Sequence, residues 1–370
     1  MVDVTLPEGS YMLRLHDGGD AVDFPLIWLR DNDPADLHPQ TQERTFDLLS
    51  VPHDLKAEAA TVEGDTLAVT WADGSGTISR YPLDWLAAHR PARPMADPAD
   101  LAPVIWRSDL GTDGIPRHDA ATILSSDAAL LDWLRATQAF GLSIVDGLDD
   151  RTDAGTDVAA RIGHLRETNF GLTFEVMSKK EPNNLAYTPI ALPLHTDLTN
   201  QELPPGFQFL HCLKNDATGG GSIFADGYAM AEDLRRDDPE AFEILSTVSV
   251  PFRFHDGACD IRSRKRVLNL DDRGRVEEIC YNAHLASVFD LEAEEMRRFY
   301  AAYRALMVKM RDPAYRVTPR LKAGEMAVFD NRRVLHGREA FDPTTGGRHL
   351  HGCYVDRGEF LSRIRVLTRG

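Results

Sequence analysis

His195 and Asp197 stand two residues apart in ALPLHTDLTN, and a third metal-binding type, His336, follows far downstream in VFDNRRVLHGR. Side chains alternate across an extended strand. An imidazole and a carboxylate two residues apart therefore face the same way and can give one ion two adjacent ligands. Alone the triplet says little, because a chain with 13 histidines and 58 acidic residues carries one by chance. The plain reading is then a strand-end histidine beside a solvated aspartate. His336 changes the weighing. Two histidines and one carboxylate on one face of an octahedral ion leave three positions open, the site type of non-haem Fe(II) oxygenases. Two open positions can chelate a 2-oxo acid, and the third can take O2. Arg348 lies twelve residues after His336. Its planar guanidinium suits the far carboxylate of 2-oxoglutarate, which it can hold through two hydrogen bonds. Ser222, in ATGGGSIF, is placed to add a hydroxyl donor there.

Such side chains need a rigid frame. On the predicted strand RHLHGCY, Arg348, Leu350, Gly352 and Tyr354 share one face. His349, His351 and Cys353 take the other, which gives His349 and His351, with His211 of QFLHCL, plain structural roles. The segments GFQFLHCL, GSIFADG, STVSVPFRF, KRVLNL and EMAVFD are short and apolar, with Gly, Pro and Asp turns between them. They predict a mainly β fold with flanking helices, a double-stranded β-helix or jelly roll. Residues 127–139 form an amphipathic helix with Ser126 as N-cap, closed by Gly141. A second helix is expected after a cap at Asp290, with Met296, Phe299, Tyr300, Tyr303, Leu306, Met307 and Met310 on one stripe and Pro313 at its end. The fingerprints GxGxxG and GxxxxGK[ST] are absent, so nucleotide chemistry has no support.

Ahead of this lies a small sheet-rich α+β unit. FPLIWLRDN reads as a strand, TLAVTWADGSGTISRYPL as two strands around a DG turn, and PLDWLAAHR as a short helix. RPARPMADPADLAP, with its repeated prolines, has the composition of a linker. The expected division is an N-terminal domain over 1–92, a linker over 93–106 and a catalytic domain over 107–370.

The formal charge of −17 argues against a nucleic-acid partner, which needs a basic face. Four scattered cysteines without a CxxC suit reduced thiols rather than a disulfide framework. No signal-peptide pattern and no apolar run near 20 residues is present, so a cytoplasmic location without membrane contact is expected.

These motifs together resemble the γ-butyrobetaine hydroxylase family, TauD-like Fe(II)/2-oxoglutarate oxygenases with a small N-terminal domain. LIWLRDN and the DWL segment resemble that small domain. NNLAYTPIALPLHTD, PPGFQFLHC, ATGGGS, DPEAFEILS, VFDNRRVLHGR and RHLHGCY resemble successive parts of the catalytic jelly roll. The resemblance implies Fe(II) on His195, Asp197 and His336, 2-oxoglutarate on Arg348, O2 as second cosubstrate, and a homodimer. It also implies a trimethylammonium substrate in an aromatic cage, falling here on Phe170, Phe174, Tyr187 and Tyr354. Ring faces attract such a cation by roughly 0.5–2 kcal/mol each. Asn184 and Asn282 match family positions that hold the substrate's anionic end, and Asn183 and His284 can add donors. The substrates to weigh are γ-butyrobetaine and 2-(trimethylammonio)ethylphosphonate, the latter known for a hydroxylase-type relative. Trimethyllysine, a taurine-type sulfonate, or a jelly roll that binds quaternary ammonium without turnover stand as alternatives. The family's N-terminal domain often carries zinc near LRDNCPC. Here Asp33, Ala35 and His38 occupy the cysteine positions and Ser75 the histidine's, too few ligands for a tetrahedral site, so no structural zinc is expected. Phe24, Ile27, Trp28, Trp71 and Trp85 would then hold the small domain together.

Overall fold

The computed structural model describes residues 2–177 and 188–369, and the chain separates into two compact units, Met1–Asp97 and Pro98–Gly370. In the first, Val2–Thr5, Met12–Asp17 and Asp20–Pro25 form one antiparallel sheet, and Ala57–Glu63, Thr66–Trp71 and Ile78–Pro82 form another. FPLIWLRDN is not one strand. The strand stops at Pro25, and Leu26–Asp31 is a helix whose buried Leu26 and Leu29 repeat at helical spacing. Phe24 and Trp71 lie in the core, with Ile27, Trp28 and Trp85 half-buried against it. Asp33 is 4% exposed. It accepts hydrogen bonds from the Ser79 hydroxyl and from the Ala35 amide, and Ser79 in turn accepts from the Trp71 indole at 2.7 Å.

The second unit is a jelly roll. Its larger sheet runs in the order Arg117–Asp119, Leu142–Asp146, Met326–Asp330, Phe207–Asn215, Arg348–Val355, Thr173–Val176, antiparallel except for the first pair. The smaller sheet places Val334–Arg338 between Leu192–His195 and Ser222–Asp226. Every residue of that middle strand is buried, and Gly337 is glycine because a Cβ there would lie 2.6 Å from the Leu192 carbonyl oxygen. Helices Asp127–Phe140, Ala154–Ala160 and Arg357–Arg369 pack on the outer face of the larger sheet, against Phe207, Phe209, Val328 and Val355. The Ser126 hydroxyl caps the first of these helices through the Ala129 amide, and Gly141 ends it at φ +70°.

The long helix Ala293–Arg311 starts later than Asp290, which is engaged with Arg264 instead. Phe299, Tyr303, Leu306 and Met310 form its buried face, whereas Tyr300 is 47% exposed. Within the stretch read as linker, Val104 and Trp106 are bound into the larger unit. Val104 accepts from Arg333 at 2.6 Å, and the Trp106 indole donates to the Phe140 carbonyl at 2.7 Å. No helix among the described residues is long and apolar enough to cross a membrane.

Candidate active site

His195 ends its strand directly opposite His336 on the middle strand. Their ring centroids are 4.3 Å apart. The extended backbone stops at His195, and the chain turns so that Asp197, followed by Leu198 at φ +55°, folds back toward both imidazoles. Asp197 Oδ1 then lies 3.3 Å from His195 Nε2 and 3.7 Å from His336 Nε2. The three side chains can offer one ligand atom each within 4.8 Å of one another, the one such cluster found among the described residues.

The donor set fits a divalent transition metal. His195 Nδ1 donates to the Pro193 carbonyl at 2.8 Å, which fixes the tautomer that leaves Nε2 free to ligate. Burial, and then His195, push the His336 imidazole down to about 3, so this ring stays neutral, as a ligand must be. Burial alone would raise the Asp197 carboxyl. The two imidazoles and the Tyr354 hydroxyl outweigh it, and the group stays ionised. Tyr354 donates to Oδ2 at 2.7 Å, which leaves Oδ1 facing the imidazoles.

A turn between the two sheets braces this arrangement. Asp330 to Arg333 join the strands Met326–Asp330 and Val334–Arg338, and each side chain holds a different segment. Asp330 accepts from Arg357 at 2.6 Å, and Arg332 donates to Glu278 at 2.7 Å. Arg333, 2% exposed, donates through two nitrogens to the fully buried Asp226. Asn331 is wholly buried. It accepts from the Asp197 amide at 2.6 Å and donates to the Asp197 carbonyl at 3.1 Å. From the other side, Thr196 exchanges hydrogen bonds with the Tyr281 backbone, and Asn282 Nδ2 donates to the Thr196 carbonyl at 3.2 Å. The sequence marked none of Asn331, Arg332 and Arg333, because their partners are distant in the chain.

A cavity of about 400 Å³ opens over the three side chains, with His195, Asp197, His336, Arg348, Ser222, Phe170, Phe174, Asn282 and Tyr354 all on its wall. Asn184 and Tyr187 lie outside the described residues. The face of the Arg348 strand that carries Leu350 and Tyr354 looks into the cavity, and Cys353 and Val355 pack on the opposite face.

One end of the cavity is cationic. Arg338, two residues beyond His336 on the same strand, lies opposite Ser222. Arg338 and Arg348 are 5% and 8% exposed and flank the Phe341 ring. Burial lowers both guanidinium groups to about 10, and Arg338 adds to the effect on Arg348, yet both stay charged at neutral pH. Two buried cations facing one cavity make a site for a dianion. Arg338 was legible only as a letter of LHGR. Its position two residues from His336 was the available signal.

The other end is aromatic. Tyr354 is six residues from Arg348, roughly 20 Å along a strand. The Phe174 ring stacks on Tyr354 at 5.0 Å, and Phe170 meets Phe254 edge-on at 5.5 Å. Gly352 makes the first stack possible, since a Cβ there would come within 2.5 Å of the Phe174 ring. His284 and Arg253 also line this cavity, with Arg253 already paired to Asp260 at 2.8 Å. Asn282 is partly committed, because its Oδ1 accepts from the His284 and Leu285 amides. Gln208, 2% exposed, lies in register between Phe329 and Tyr354 on the cavity wall and was not anticipated.

Comparison with known proteins gives consistent results. A profile of the family "Taurine catabolism dioxygenase TauD, TfdA family" matches residues 100–354. The γ-butyrobetaine dioxygenase of Pseudomonas sp. (strain AK-1) is 43% identical over 94% of this chain and 91% of that protein. The mitochondrial trimethyllysine dioxygenase of Gallus gallus is 31% identical over 96% of this chain and 86% of its own length. The solved structure of AAD-2 in complex with Mn(II) and N-oxalylglycine is similar in fold, with a TM-score of 0.51 and 15% identity, covering 63% of this chain and 90% of that one.

Proposed function

The chain belongs to the γ-butyrobetaine dioxygenase family within the TauD, TfdA family, and from that membership we propose that it hydroxylates a CH2 group of γ-butyrobetaine. It is a dioxygenase that uses Fe(II), 2-oxoglutarate and O2. Fe(II), when bound, supplies the chemistry by which O2 and 2-oxoglutarate become succinate, CO2 and the hydroxyl placed on the substrate carbon.

The protein's own share is binding and placement. His195 Nε2, His336 Nε2 and Asp197 Oδ1 would hold the metal, at the wall of the cavity. Arg348, with Arg338 and the Ser222 hydroxyl beside it, takes the distal carboxylate of 2-oxoglutarate. Phe170, Phe174 and Tyr354 present ring faces to the trimethylammonium group, a cation that cannot donate a hydrogen bond and is best met by aromatic quadrupoles. Asn184, Tyr187 and Asn282 complete the substrate site in this reading, with Asn282 and the neutral side chain of His284 donating to the anionic head.

The observation that carries this reading is that one cavity joins a cationic end, the three metal-binding side chains and an aromatic end. γ-Butyrobetaine is favoured over trimethyllysine because Asp197 is the sole acid among the described lining residues. Among the described residues an α-ammonium group would therefore meet no carboxylate other than Asp197. The chemistry of the anionic end also admits the phosphonate 2-(trimethylammonio)ethylphosphonate as a second substrate. Succinate formation measured under air with Fe(II) tests both, against trimethyllysine and taurine. The expected order is γ-butyrobetaine first, the phosphonate next and taurine inert. Turnover of taurine without any trimethylammonium compound would overturn the proposal.

A further inference from the structure

We infer that Tyr354 is a positioning residue that links the cation site to the metal ligand Asp197, so that a trimethylammonium ligand and the metal each tighten the binding of the other. This rests on the aromatic cation site proposed above and adds a coupling to it.

The argument begins with the two oxygens of Asp197. Oδ1 faces both imidazoles at 3.3 and 3.7 Å, whereas Oδ2 accepts the Tyr354 hydroxyl at 2.7 Å. The tyrosine thus occupies the oxygen that coordination leaves over. It fixes the rotation of the carboxylate and disfavours chelation through both oxygens, which would use up a position that 2-oxoglutarate or O2 needs. The same ring is a wall of the aromatic end. It is 4% exposed and stacked on Phe174 at 5.0 Å with the planes 28° apart, and Phe174 is itself pressed onto Gly352. One rigid side chain therefore carries the cation-facing surface on its ring and the ligand-holding group at its tip.

A cation over a phenol face draws electron density from the ring and makes the hydroxyl a stronger donor. The stronger bond holds Asp197 in its ligating orientation, which raises metal affinity. By linkage, the metal raises cation affinity by the same factor. Direct repulsion between the two positive charges acts the other way, but it does not pass through the hydroxyl. Tyr354→Phe keeps the ring and removes the hydroxyl that makes the link.

The experiment is calorimetric titration of the intact, metal-free chain with Co(II), without 2-oxoglutarate so that nothing turns over. It is run with and without saturating γ-butyrobetaine, and repeated with its carbon isostere 5,5-dimethylhexanoate, which keeps the carboxylate and lacks the cationic centre. The factor by which γ-butyrobetaine improves the Co(II) dissociation constant should be roughly fivefold more favourable in the wild-type chain than in Tyr354→Phe. The reverse titration should give the same ratio. In the wild-type chain, γ-butyrobetaine should also shift the Co(II) absorption bands more than the isostere does, a readout that needs no variant. Equal coupling factors in the two proteins, with γ-butyrobetaine still preferred over the isostere, overturn the link and leave the cation site standing. Loss of that preference in the wild-type chain overturns both.

Discussion

The carboxylate of Asp197 and the guanidinium of Arg348 divide the chemistry at the residue scale, and each makes a separable prediction. Asp197→Ala removes the atom that both imidazoles face, so the apo-protein should lose Co(II) binding in a calorimetric titration while its circular dichroism stays that of the parent. Retained metal affinity in this variant would displace the assignment. Arg348→Met removes a charged partner worth about 1.5–3 kcal/mol, so KM for 2-oxoglutarate should rise about tenfold or more. The KM for γ-butyrobetaine should move far less.

Arg348 also predicts a pH response. In the proposed role its protonated form would bind the dianion, and burial, with Arg338 beside it, has brought its pKa down to about 10. Affinity for 2-oxoglutarate should hold from neutral pH upward and fall as pH approaches that value, whereas a site that relies on a protonated histidine would lose affinity already around neutral pH. A fall beginning near pH 7 would point to a different group. At this scale the sequence was informative where residue type alone implies chemistry, as for His195, Asp197, His336 and Arg348. It was silent on Asn331, whose type is ordinary and whose partner Asp197 is 134 residues away.

At the scale of elements, the frame decides how tightly those side chains are held. The turn from Asp330 to Arg333 anchors four segments, and only Asn331 reaches the metal-binding loop. Asn331→Ala should therefore weaken Co(II) binding by roughly 10–100-fold, the range for a residue that orients a metal ligand, although it touches no ligand atom itself. If metal affinity stayed at the parental value while only thermal stability fell, Asn331 would be a fold residue and nothing more. Gly352 makes the complementary test at the aromatic end. Adding a methyl group there pushes the Phe174 ring off Tyr354, and the loss of one ring contact is worth roughly 0.5–2 kcal/mol. Gly352→Ala should raise KM for γ-butyrobetaine with little change for 2-oxoglutarate; equal effects on both would mean that the whole strand had shifted.

Strand alternation in RHLHGCY was legible because its period of two is strict. The end of the His195 strand was not, since the turn that returns Asp197 to the imidazoles is set by hydrogen bonds that the Asp197 and Thr196 amides donate to Asn331 and Tyr281, far off in sequence.

At the scale of the whole molecule, the jelly roll was visible in its many short apolar strands, whereas the N-terminal unit was misread in one place. FPLIWLRDN has the β-rich composition of a strand, but tertiary packing of Leu26 and Leu29 makes its second half a helix. The same unit bears the last prediction, which concerns metal. Asp33 does not stand as a spare ligand, because its carboxylate takes the Ser79 hydroxyl, and Ser79 takes the Trp71 indole. His38 Nδ1 accepts from the Gln40 and Thr41 amides at 3.3 and 3.2 Å. A buried hydrogen-bond chain occupies the place where the family resemblance would put a zinc site. Chelation should therefore lower the melting temperature of the parent chain only by what the catalytic metal contributes through binding the folded state. In His336→Ala, which lacks that site, EDTA should leave the melting temperature unchanged. A drop on chelating His336→Ala would reveal a second, structural metal. Asp33→Ala should instead lower the melting temperature with or without EDTA, by an amount corresponding to about 1–3 kcal/mol, because it strands the buried Ser79 hydroxyl without an acceptor.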